Sequence, residues 1–403
     1  MSDKEFMVKS NVLERLRPRI NKAISLIKQA IEAKRPIWIR HHSDVDGYCA
    51  GVAIERAILP LIYDRHTKER DTFYSYARMP SKAPYYDYTD ATKDLTNFMN
   101  RMNKFEAKAP MIIICDNGSS EQDIMAIKKV RIYGAKVIVI DHHPLCDEID
   151  NITDAHINPH QIKSVYDLSA GMLCAEIAKQ INPEIDQMEF FAAVAGFADK
   201  VKSKEFEQYV ELCKKKGGSQ ELIKDTAECL DFETFVLGFI ESRDLINDIL
   251  GGDHNKQKKL INLIKPKANE LKKQQLETNK KYMKIEEKDN IIICKLPIDQ
   301  VRSMGSFPPS GKTTGIIHDY IKEKYKNKFV ISLGISNGQI NFRCSNEIKN
   351  FDVNEIIALL KKKMPYAQID GGGHRVAGSI SFIEAAKEEV LDFVDEYIDS
   401  IKC

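Results

Sequence analysis

AKVIVIDHH, residues 135–143, is a run of mostly apolar side chains that ends abruptly on one carboxylate and two imidazoles. A buried β-strand does not accommodate three polar side chains in a row unless they lie at its end and face a site. Open parallel sheets bind their ligands at the carboxyl ends of the strands. The stretch therefore predicts a buried strand with a functional site at its end.

Three other apolar segments end in the same way, on Asp or His. Because the carboxyl ends of parallel strands meet at one edge of a sheet, we expect these residues to converge. The spacing between two of the segments also leaves room for the helix of a parallel crossover, which favours an α/β fold. The segments lead into RHHSDVDG (40–47), CDNG (115–118) and Asp199.

Composition predicts more than one domain and argues against several protein classes. A chain of 403 residues with 43% hydrophobic content can form more than one core. Its net charge of +1 means that a nucleic-acid partner would need a local basic patch. No apolar run approaches the roughly 20 residues of a spanning helix, and residues 1–10 lack a signal-peptide core, so no membrane association is expected. Nine scattered cysteines without a Cys-x-x-Cys pair fit a cytoplasmic protein better than a disulfide framework or zinc ribbon.

The sequence pattern predicts three regions. Residues 1–200 carry the strand ends and are expected to form a metal-binding catalytic domain. Residues 201–289 are rich in Lys, Glu, Gln and Leu at helical spacing, which predicts a helical connector or an oligomerisation region. Residues 290–403 return to alternating strands and helices and are expected to bind substrate.

The acidic and imidazole side chains indicate divalent cations. Oxygen and imidazole ligands without thiolates suit Mn2+ or Mg2+, and Mn2+ is the easier fit where His is a ligand. Asp44 and Asp46 would share one face of an extended segment, so that one could serve each of two ions while Asp116 bridges them. Two ions about 3.5 to 4 Å apart activate water and hold a phosphodiester for displacement, which predicts phosphoester hydrolysis.

A glycine run near the carboxyl end is a candidate phosphate site. Gly371, Gly372 and Gly373 can expose consecutive backbone N–H groups to an anion, and His374 and Arg375 follow directly. A tight turn is the alternative interpretation of the glycines. Arg343, at the end of a predicted strand, is a second candidate for a phosphate or a terminal nucleotide, with a solvated surface arginine as its alternative.

Together these motifs resemble the DHH phosphoesterase superfamily, and specifically its RecJ-like nucleases. The resemblance implies an N-terminal parallel-sheet DHH domain, a helical middle region and a smaller C-terminal α/β DHH-associated domain that binds substrate. The matching motifs are Asp44-Val45-Asp46-Gly47, Asp116, Asp141-His142-His143, Asp199 and the glycine-rich Gly371-Gly372-Gly373-His374.

The same resemblance assigns roles to the residues. His143 would contact the scissile phosphate, and Asp141 would orient the histidines. Some members of the superfamily have a metal-binding His at the position of Arg40. His42 would replace it here, with His41 pointing away, unless a loop reverses the two. The implied metal ligands are Asp44, Asp46, Asp116, His142 and Asp199.

The chain looks most similar to archaeal RecJ-like exonucleases, including the Hef-associated branch that degrades single strands from the 3′ end. The expected function is a Mn2+-dependent exonuclease with two ions, acting on single-stranded DNA or RNA in repair or replication. A homo-oligomer and a helicase or nuclease partner of the Hef type are also expected. End polarity cannot be read from the shared motifs, although 3′ to 5′ is favoured.

Two other functions are compatible with the same motifs. One is a phosphodiesterase for small nucleotides or short oligonucleotides. The other is a RecJ-related replication scaffold without catalytic activity. The retained acidic cluster argues against the scaffold, because like charges crowd together at a cost unless cations are bound.

Overall fold

A computed structural model describes residues 5–66, 74–81, 83–105, 108–163, 168–238, 243–303 and 305–401. The chain divides into two compact units, an N-terminal unit of residues 1–265 and a C-terminal unit of residues 266–403. The predicted α/β class, with a parallel N-terminal sheet, a helical middle and a smaller C-terminal sheet domain, is confirmed.

The N-terminal unit begins with alternating helices and strands. Apolar side chains at helical spacing form the buried face of the first helix, which continues through Pro18. The elements in chain order are α1 (Asn11–Glu32), β1 (Ile37–His42), α2 (Val45–Arg65), β2 (Tyr76–Ser81), α3 (Tyr88–Phe105), β3 (Met111–Cys115), α4 (Ile124–Ile132), β4 (Lys136–Ile140), α5 (Glu148–Ile152), β5 (Ala155–Ile157), α6 (Ala170–Ile181) and α7 (Met188–Ala198).

The five strands form one parallel sheet in the order β2-β1-β3-β4-β5. Its central strands are buried on both faces, which explains their continuous apolar sequences. In β3, Ile113 packs on the face that is covered by α1, α2 and α6, whereas Ile112 and Ile114 pack on the face that is covered by α3 and α4. In β3 and β4, whose buried positions are apolar, the polar side chains Asp116 and Asp141 therefore follow the strand ends.

Each face of the sheet carries a buried core, and four further helices that follow in the chain add to the larger core, on the face covered by α1, α2 and α6. They are α8 (Lys204–Lys215), α9 (Gln220–Leu237), α10 (Arg243–Ile249) and α11 (His254–Tyr282). Buried side chains of α8 to α10, including Tyr209 and Leu230, belong to the core that contains α2 and α7. Much of the predicted helical middle therefore packs within the N-terminal unit. No helix in the described ranges has the length and apolar character needed to cross a membrane.

The C-terminal unit has a six-stranded mixed sheet in the order β10-β11-β9-β8-β7-β6, in which β7 and β8 are parallel and the other pairs antiparallel. Two buried clusters lie on its faces, one with α12 and α13 and one with α14 and α15. The elements are β6 (Lys284–Lys288), β7 (Ile291–Pro297), α12 (Ile298–Val301), α13 (Ser310–Lys324), β8 (Phe329–Ile335), β9 (Gln339–Cys344), α14 (Val353–Lys363), β10 (Asp370–His374), β11 (Ala377–Ser381) and α15 (Lys387–Ser400).

Candidate metal centre

The parallel register brings the ends of three neighbouring strands to the same level. Cys115 at the end of β3 is paired with His41 in β1 and with Ile140 in β4. The backbone N–H of Asp116 then donates to Ile140 O at 2.9 Å. The first polar residue after each strand is therefore held at one edge of the sheet.

Asp44 and Asp46 approach this edge from the start of a helix. Asp44 is the N-cap of α2, and its Oδ1 accepts the backbone N–H of Gly47 at 2.9 Å. The expectation that both aspartates lie on one extended segment is wrong, because this cap starts the helix at Val45. Asp46 lies in the first turn of α2 and reaches the site from there.

The carboxylate of Asp46 is fixed by the amino-terminal end of another helix, α6. It accepts hydrogen bonds from Ser169 Oγ at 2.7 Å, from the Ala170 N–H at 2.9 Å and from the Gly171 N–H at 3.0 Å. A Cβ at Gly171 would lie 2.8 Å from Asp46 Oδ1 and 2.5 Å from the Cβ of Ala195. Only glycine fits between the aspartate and α7.

Asp116 is the residue shared by the ligand clusters of the site. Its backbone is left-handed, with φ of 59°, and the residue is buried. Neither of its carboxylate oxygens makes a well-formed hydrogen bond within the described ranges. Their near neighbours are imidazole nitrogens, His42 Nδ1 at 3.5 Å and His142 Nε2 at 3.3 Å.

His142 gathers carboxylates from three different elements. Its Nε2 lies 3.2 Å from Asp199 Oδ2, 3.3 Å from Asp116 Oδ1 and 3.7 Å from Asp46 Oδ2. Asp199 is the C-cap of α7. The four apolar segments singled out in the sequence thus deliver their polar ends to one place.

Asp141 organises the loop that follows β4. Its Oδ1 accepts the His142 N–H at 2.8 Å and His143 Nδ1 at 2.9 Å, while its Oδ2 accepts the Ser119 N–H at 3.1 Å. Burial alone would raise the pKa of Asp141, but the two neighbouring imidazoles and the Ser119 side chain hold it well below its usual range. Asp141 is therefore an ionised acceptor that orients the histidines.

Among the described residues of the N-terminal unit, three groups of donor atoms are close enough to hold cations, and each contains Asp116. In every group the ligand atoms lie within 4.8 Å of one another. The groups are His42, Asp44 and Asp116; Asp46, Asp116 and His142; and Asp116, Asp141 and His143.

The electrostatics of the site favour bound cations. Burial raises the pKa of Asp116 well above its usual value, and the carboxylates of Asp44 and Asp46 raise it further. Burial likewise raises the pKa of Asp199, with Asp46 as the next cause. Divalent ions would relieve this repulsion, and the Asp116 oxygens, which make no well-formed hydrogen bond in the described chain, are candidates to bind them. Carboxylates and imidazoles without thiolates fit Mn2+ or Mg2+.

The three residues at the end of β1 have different environments. His42 Nδ1 lies 3.0 Å from Asp44 Oδ2, within the first ligand group. His41 lies against Tyr48 on α2, and burial together with Arg78 lowers its pKa to about 3. Arg40 is buried and hydrogen-bonds to Asp94 on the α3 side of the sheet. The structure thus places only His42 with the carboxylates.

Several polar residues near the site were not identified from the sequence. Ser119, His156 and Asn158 form a buried hydrogen-bonded group behind Asp141 and His143. Asn117, next to Asp116, is buried, and its amide has no hydrogen-bond partner in the described part of the chain. Of these residues, only Asn117 could have been identified from the sequence, because it lies in the Cys115–Gly118 motif.

In the C-terminal unit, the glycine run forms strand β10 at the edge of the sheet, so neither the tight turn nor a nest of consecutive N–H groups is found. Along a strand, neighbouring N–H groups point to opposite sides. Gly371 and Gly373 have φ of 145° and 136°, and a Cβ there would lie 2.1 Å from Ser379 O and 2.6 Å from Ala377 O. Two of the glycines therefore allow close approach to β11. His374 is the last residue of β10.

Arg375 has a structural environment that does not support the predicted phosphate contact. Its guanidinium donates to four backbone carbonyls of the segment 346–351, among them Ile348 O at 2.7 Å and Asn346 O at 2.9 Å. These bonds hold the loop between β9 and α14.

Arg343 is a better candidate for an anion. Its only hydrogen bond in the described ranges is from Nη1 to Phe342 O, at 2.7 Å. Burial lowers its pKa. Asn341 lies two residues away, and its Nδ2 is buried without a partner among the described residues. Gly311, in the first turn of α13, is next to both side chains. Sequence reasoning did not identify Asn341.

Comparison with protein families gives two matches. The model of the DHH family N-terminal domain matches residues 36–198, and the model of the DHHA1 domain matches residues 301–400. An uncharacterized protein of Methanocaldococcus jannaschii is 38% identical over 99% of this chain. The chain covers 56% of the length of that relative.

Solved structures of the same fold are also known. A DHH domain described as belonging to a member of the S1p family of ribosomal proteins is 38% identical, with a TM-score of 0.96 over 100% of this chain and 95% of that one. RecJ of Thermus thermophilus in complex with Mn2+ is 14% identical, with a TM-score of 0.62 over 95% of this chain and 55% of that one. At 14% identity, the similarity to RecJ is a similarity of fold.

Proposed function

Because the chain belongs to the DHH family, we propose that it is a Mn2+-dependent phosphodiesterase that acts as an exonuclease on single-stranded DNA or RNA in repair or replication, with 3′ to 5′ polarity favoured. The observation that carries this proposal is the buried carboxylate of Asp116, which makes no well-formed hydrogen bond in the described chain and is shared by three groups of candidate ligands. Hydrolysis of phosphoesters is the chemistry that such a carboxylate cluster would support.

The residues divide into two candidate ion sites. His42 and Asp44 would hold one ion, Asp46, His142 and Asp199 would hold the other, and Asp116 would contribute to both. When bound, the ions would supply Lewis acidity and activate water. Mn2+ is proposed over Mg2+ because each site includes an imidazole.

His143 would contact the scissile phosphate. Burial lowers its pKa, but the negative charge of Asp141, the Nδ1 hydrogen bond to it and the charge of Asp116 together outweigh burial, and the net effect is a raised pKa. A protonated imidazole in a fixed orientation can bind and stabilise a phosphate oxygen as negative charge develops. Asp141 would thus act on the substrate through His143.

The C-terminal unit would bind nucleic acid. The buried Asn341 amide lacks a hydrogen-bond partner in the described chain, and the nearby Arg343 could bind a phosphate through two parallel hydrogen bonds. Gly372 offers open space at the edge strand, since a Cβ there would meet no described atom within 4 Å.

The test is a nuclease assay on one long strand, labelled separately at each end, with Mn2+ or with a chelator. We expect stepwise shortening with Mn2+ and none with the chelator. His142→Ala is the inactive reference, because it removes the imidazole that faces three carboxylates. Which label is released first gives the polarity, and parallel RNA and DNA substrates give the preferred sugar.

Other outcomes would lead to the alternative functions. Rapid hydrolysis of a dinucleotide without shortening of the long strand would replace the exonuclease with a small-nucleotide phosphodiesterase. Wild-type activity no greater than that of His142→Ala on every phosphodiester would favour a replication scaffold. A Hef-type helicase or nuclease partner is proposed on the family resemblance, and binding of the purified proteins would test it.

A further inference from the structure

A buried polar chain leads from the surface of the N-terminal unit to Asp141 and His143. His156, on β5, is 3% exposed, and Ser119 and Asn158 are fully buried. His156 Nδ1 lies 2.8 Å from Asp150 Oδ1, and its Nε2 lies 2.9 Å from Ser119 Oγ. The side chain of Asp150 is 37% exposed, so the chain begins near solvent.

The directions of these hydrogen bonds follow from the chemistry of the groups. A carboxylate only accepts, so His156 carries its proton on Nδ1 and its Nε2 is an acceptor. Burial lowers the pKa of His156 despite Asp150, which keeps the ring neutral. Asn158 Nδ2 donates to Ser119 Oγ at 3.0 Å. The hydroxyl proton of Ser119 is therefore directed to His156.

Ser119 connects this chain to the loop that follows β4 at two further points. Its N–H donates to Asp141 Oδ2 at 3.1 Å, and its carbonyl accepts the Cys146 N–H at 2.7 Å. Asn158 Nδ2 also donates to His143 O at 2.9 Å. Both ends of the segment 141–146 are thus attached to Ser119, whose side chain is held by His156.

An Asp-His-Ser arrangement also suggests a nucleophilic serine, but the geometry argues against one. Ser119 is fully buried, and its Oγ already accepts from Asn158 and donates to His156. A nucleophile must be accessible to substrate. The arrangement is therefore suited to holding the loop and not to attacking a substrate.

We propose that His156 is a positioning residue for the phosphodiester hydrolysis proposed above, acting through Ser119 on the orientation of Asp141 and His143. This inference rests on the proposed function for its kinetic consequence only. Groups that orient the residues of a metal site usually change metal affinity or activity ~10- to 100-fold when they are removed.

Two matched substitutions of His156 distinguish the effects of its two ring hydrogen bonds, one to Ser119 and one to Asp150. His156→Gln places an amide near the position of Nε2 and can keep the bond to Ser119, whereas His156→Asn places its amide near Nδ1 and keeps only the bond to Asp150. We expect kcat of His156→Asn to fall ~10-fold or more with little change in KM, and His156→Gln to stay close to wild type. Equal kcat values in the two variants, at equal thermal stability, would overturn the proposal.

Ser119→Ala is a second way to remove the bond to His156, and it covers the case in which His156→Asn does not fold. It keeps both backbone contacts but removes Oγ, and with it the bond from Asn158 as well. We expect it to lose at least the same factor in kcat, and the double variant with His156→Asn to lose no more than Ser119→Ala alone. Losses that multiply in the double variant would show that the two side chains act independently, contrary to the proposal.

A last measurement is independent of catalysis. If the wild-type protein cleaves no phosphodiester, the proposed function fails, but amide hydrogen exchange still reports on the network. We expect the Ser119 N–H, which is bonded to Asp141, to exchange faster in His156→Asn than in His156→Gln. Equal exchange rates would reject the positioning role as well.

Discussion

The ionised side chain of Asp116 is in an environment that is unfavourable for a carboxylate unless cations are bound, because it is buried near two other carboxylates. Its carboxylate oxygens make no well-formed hydrogen bond within the described chain, and burial together with the neighbouring Asp44 and Asp46 raises its pKa. An acid with a raised pKa binds its proton more tightly in the folded state. Its contribution to stability is present below the usual value of 3.8 and is lost as the pH rises through the raised pKa.

We therefore predict opposite effects of Asp116→Asn on stability and on metal binding. At a pH above the raised pKa of Asp116, in the presence of a chelator, the variant should unfold at a higher temperature than wild type, because the repulsion between Asp116 and the carboxylates of Asp44 and Asp46 has been removed. Mn2+ at 100 times its Kd should stabilise the wild type by about 2.7 kcal/mol and the variant by much less. Thermal denaturation with and without Mn2+ measures both. A variant that is less stable without metal and equally stabilised by Mn2+ would contradict the proposed ion sites.

Among the individual site residues, those that directly follow an apolar segment can be predicted from the sequence. Asp116, Asp141 and His142 could be identified because polar side chains are incompatible with the buried strands before them. His156 could not, because an isolated histidine in a short apolar strand looks like a core residue. Its role depends on the path of the chain between residues 143 and 158, which brings it to Ser119.

The close approach of β10 and β11 in their hairpin requires glycine at particular positions of β10. A Cβ at Gly371 would lie 2.1 Å from Ser379 O, and the φ of Gly371 is 145°. We predict that Gly371→Ala lowers the free energy of unfolding by at least ~1 to 3 kcal/mol. Gly372→Ala is the matched control, and it should change stability by no more than ~0.5 kcal/mol. Chemical denaturation compares the two; equal losses would contradict the strand pairing.

The segment before α1 is attached to the N-terminal unit through a buried carboxylate. Glu176 accepts the Met7 N–H at 3.0 Å and the Tyr209 hydroxyl at 2.7 Å, and burial raises its pKa to about 7 from 4.5. A raised pKa means that its stabilising contribution is complete below pH 4.5 and is lost as the pH rises towards 7.

We predict a pH-dependent difference between wild type and Glu176→Gln. Over that range the wild type should lose ~1.4 kcal/mol per pH unit relative to the variant, which cannot ionise at this position. Urea denaturation at several pH values gives the difference directly. A constant difference between the two proteins from pH 4.5 to 7 would show that Glu176 keeps an ordinary pKa.

Local sequence rules explain some elements better than others. The buried strands β3 and β4 were predictable because both of their faces are apolar. The β10 strand was not, because glycine is unfavourable in strands unless another backbone lies close by. The start of α2 at Val45 was also missed, since Asp44 was interpreted only as a ligand and not as a cap.

For the whole molecule, the predicted homo-oligomer remains to be tested. The proposal rests on the exposed, charged helices of the middle region, which include α11. Sedimentation equilibrium should give a mass that is a multiple of 46.0 kDa. A mass equal to that of one chain at micromolar concentration would reject the oligomer and leave the helical region as a connector.

The contrast between Asp46 and Asp116 has a consequence for how the protein acquires its activity. The carboxylate of Asp46 is already oriented by the end of α6, whereas Asp116 has no comparable support. We expect occupancy to be sequential, with the ion beside Asp46 entering a rigid half-site and the other following once the shared carboxylate has been oriented. Cation supply in the cell would then switch on the proposed phosphodiesterase activity steeply, over a narrow range of concentration.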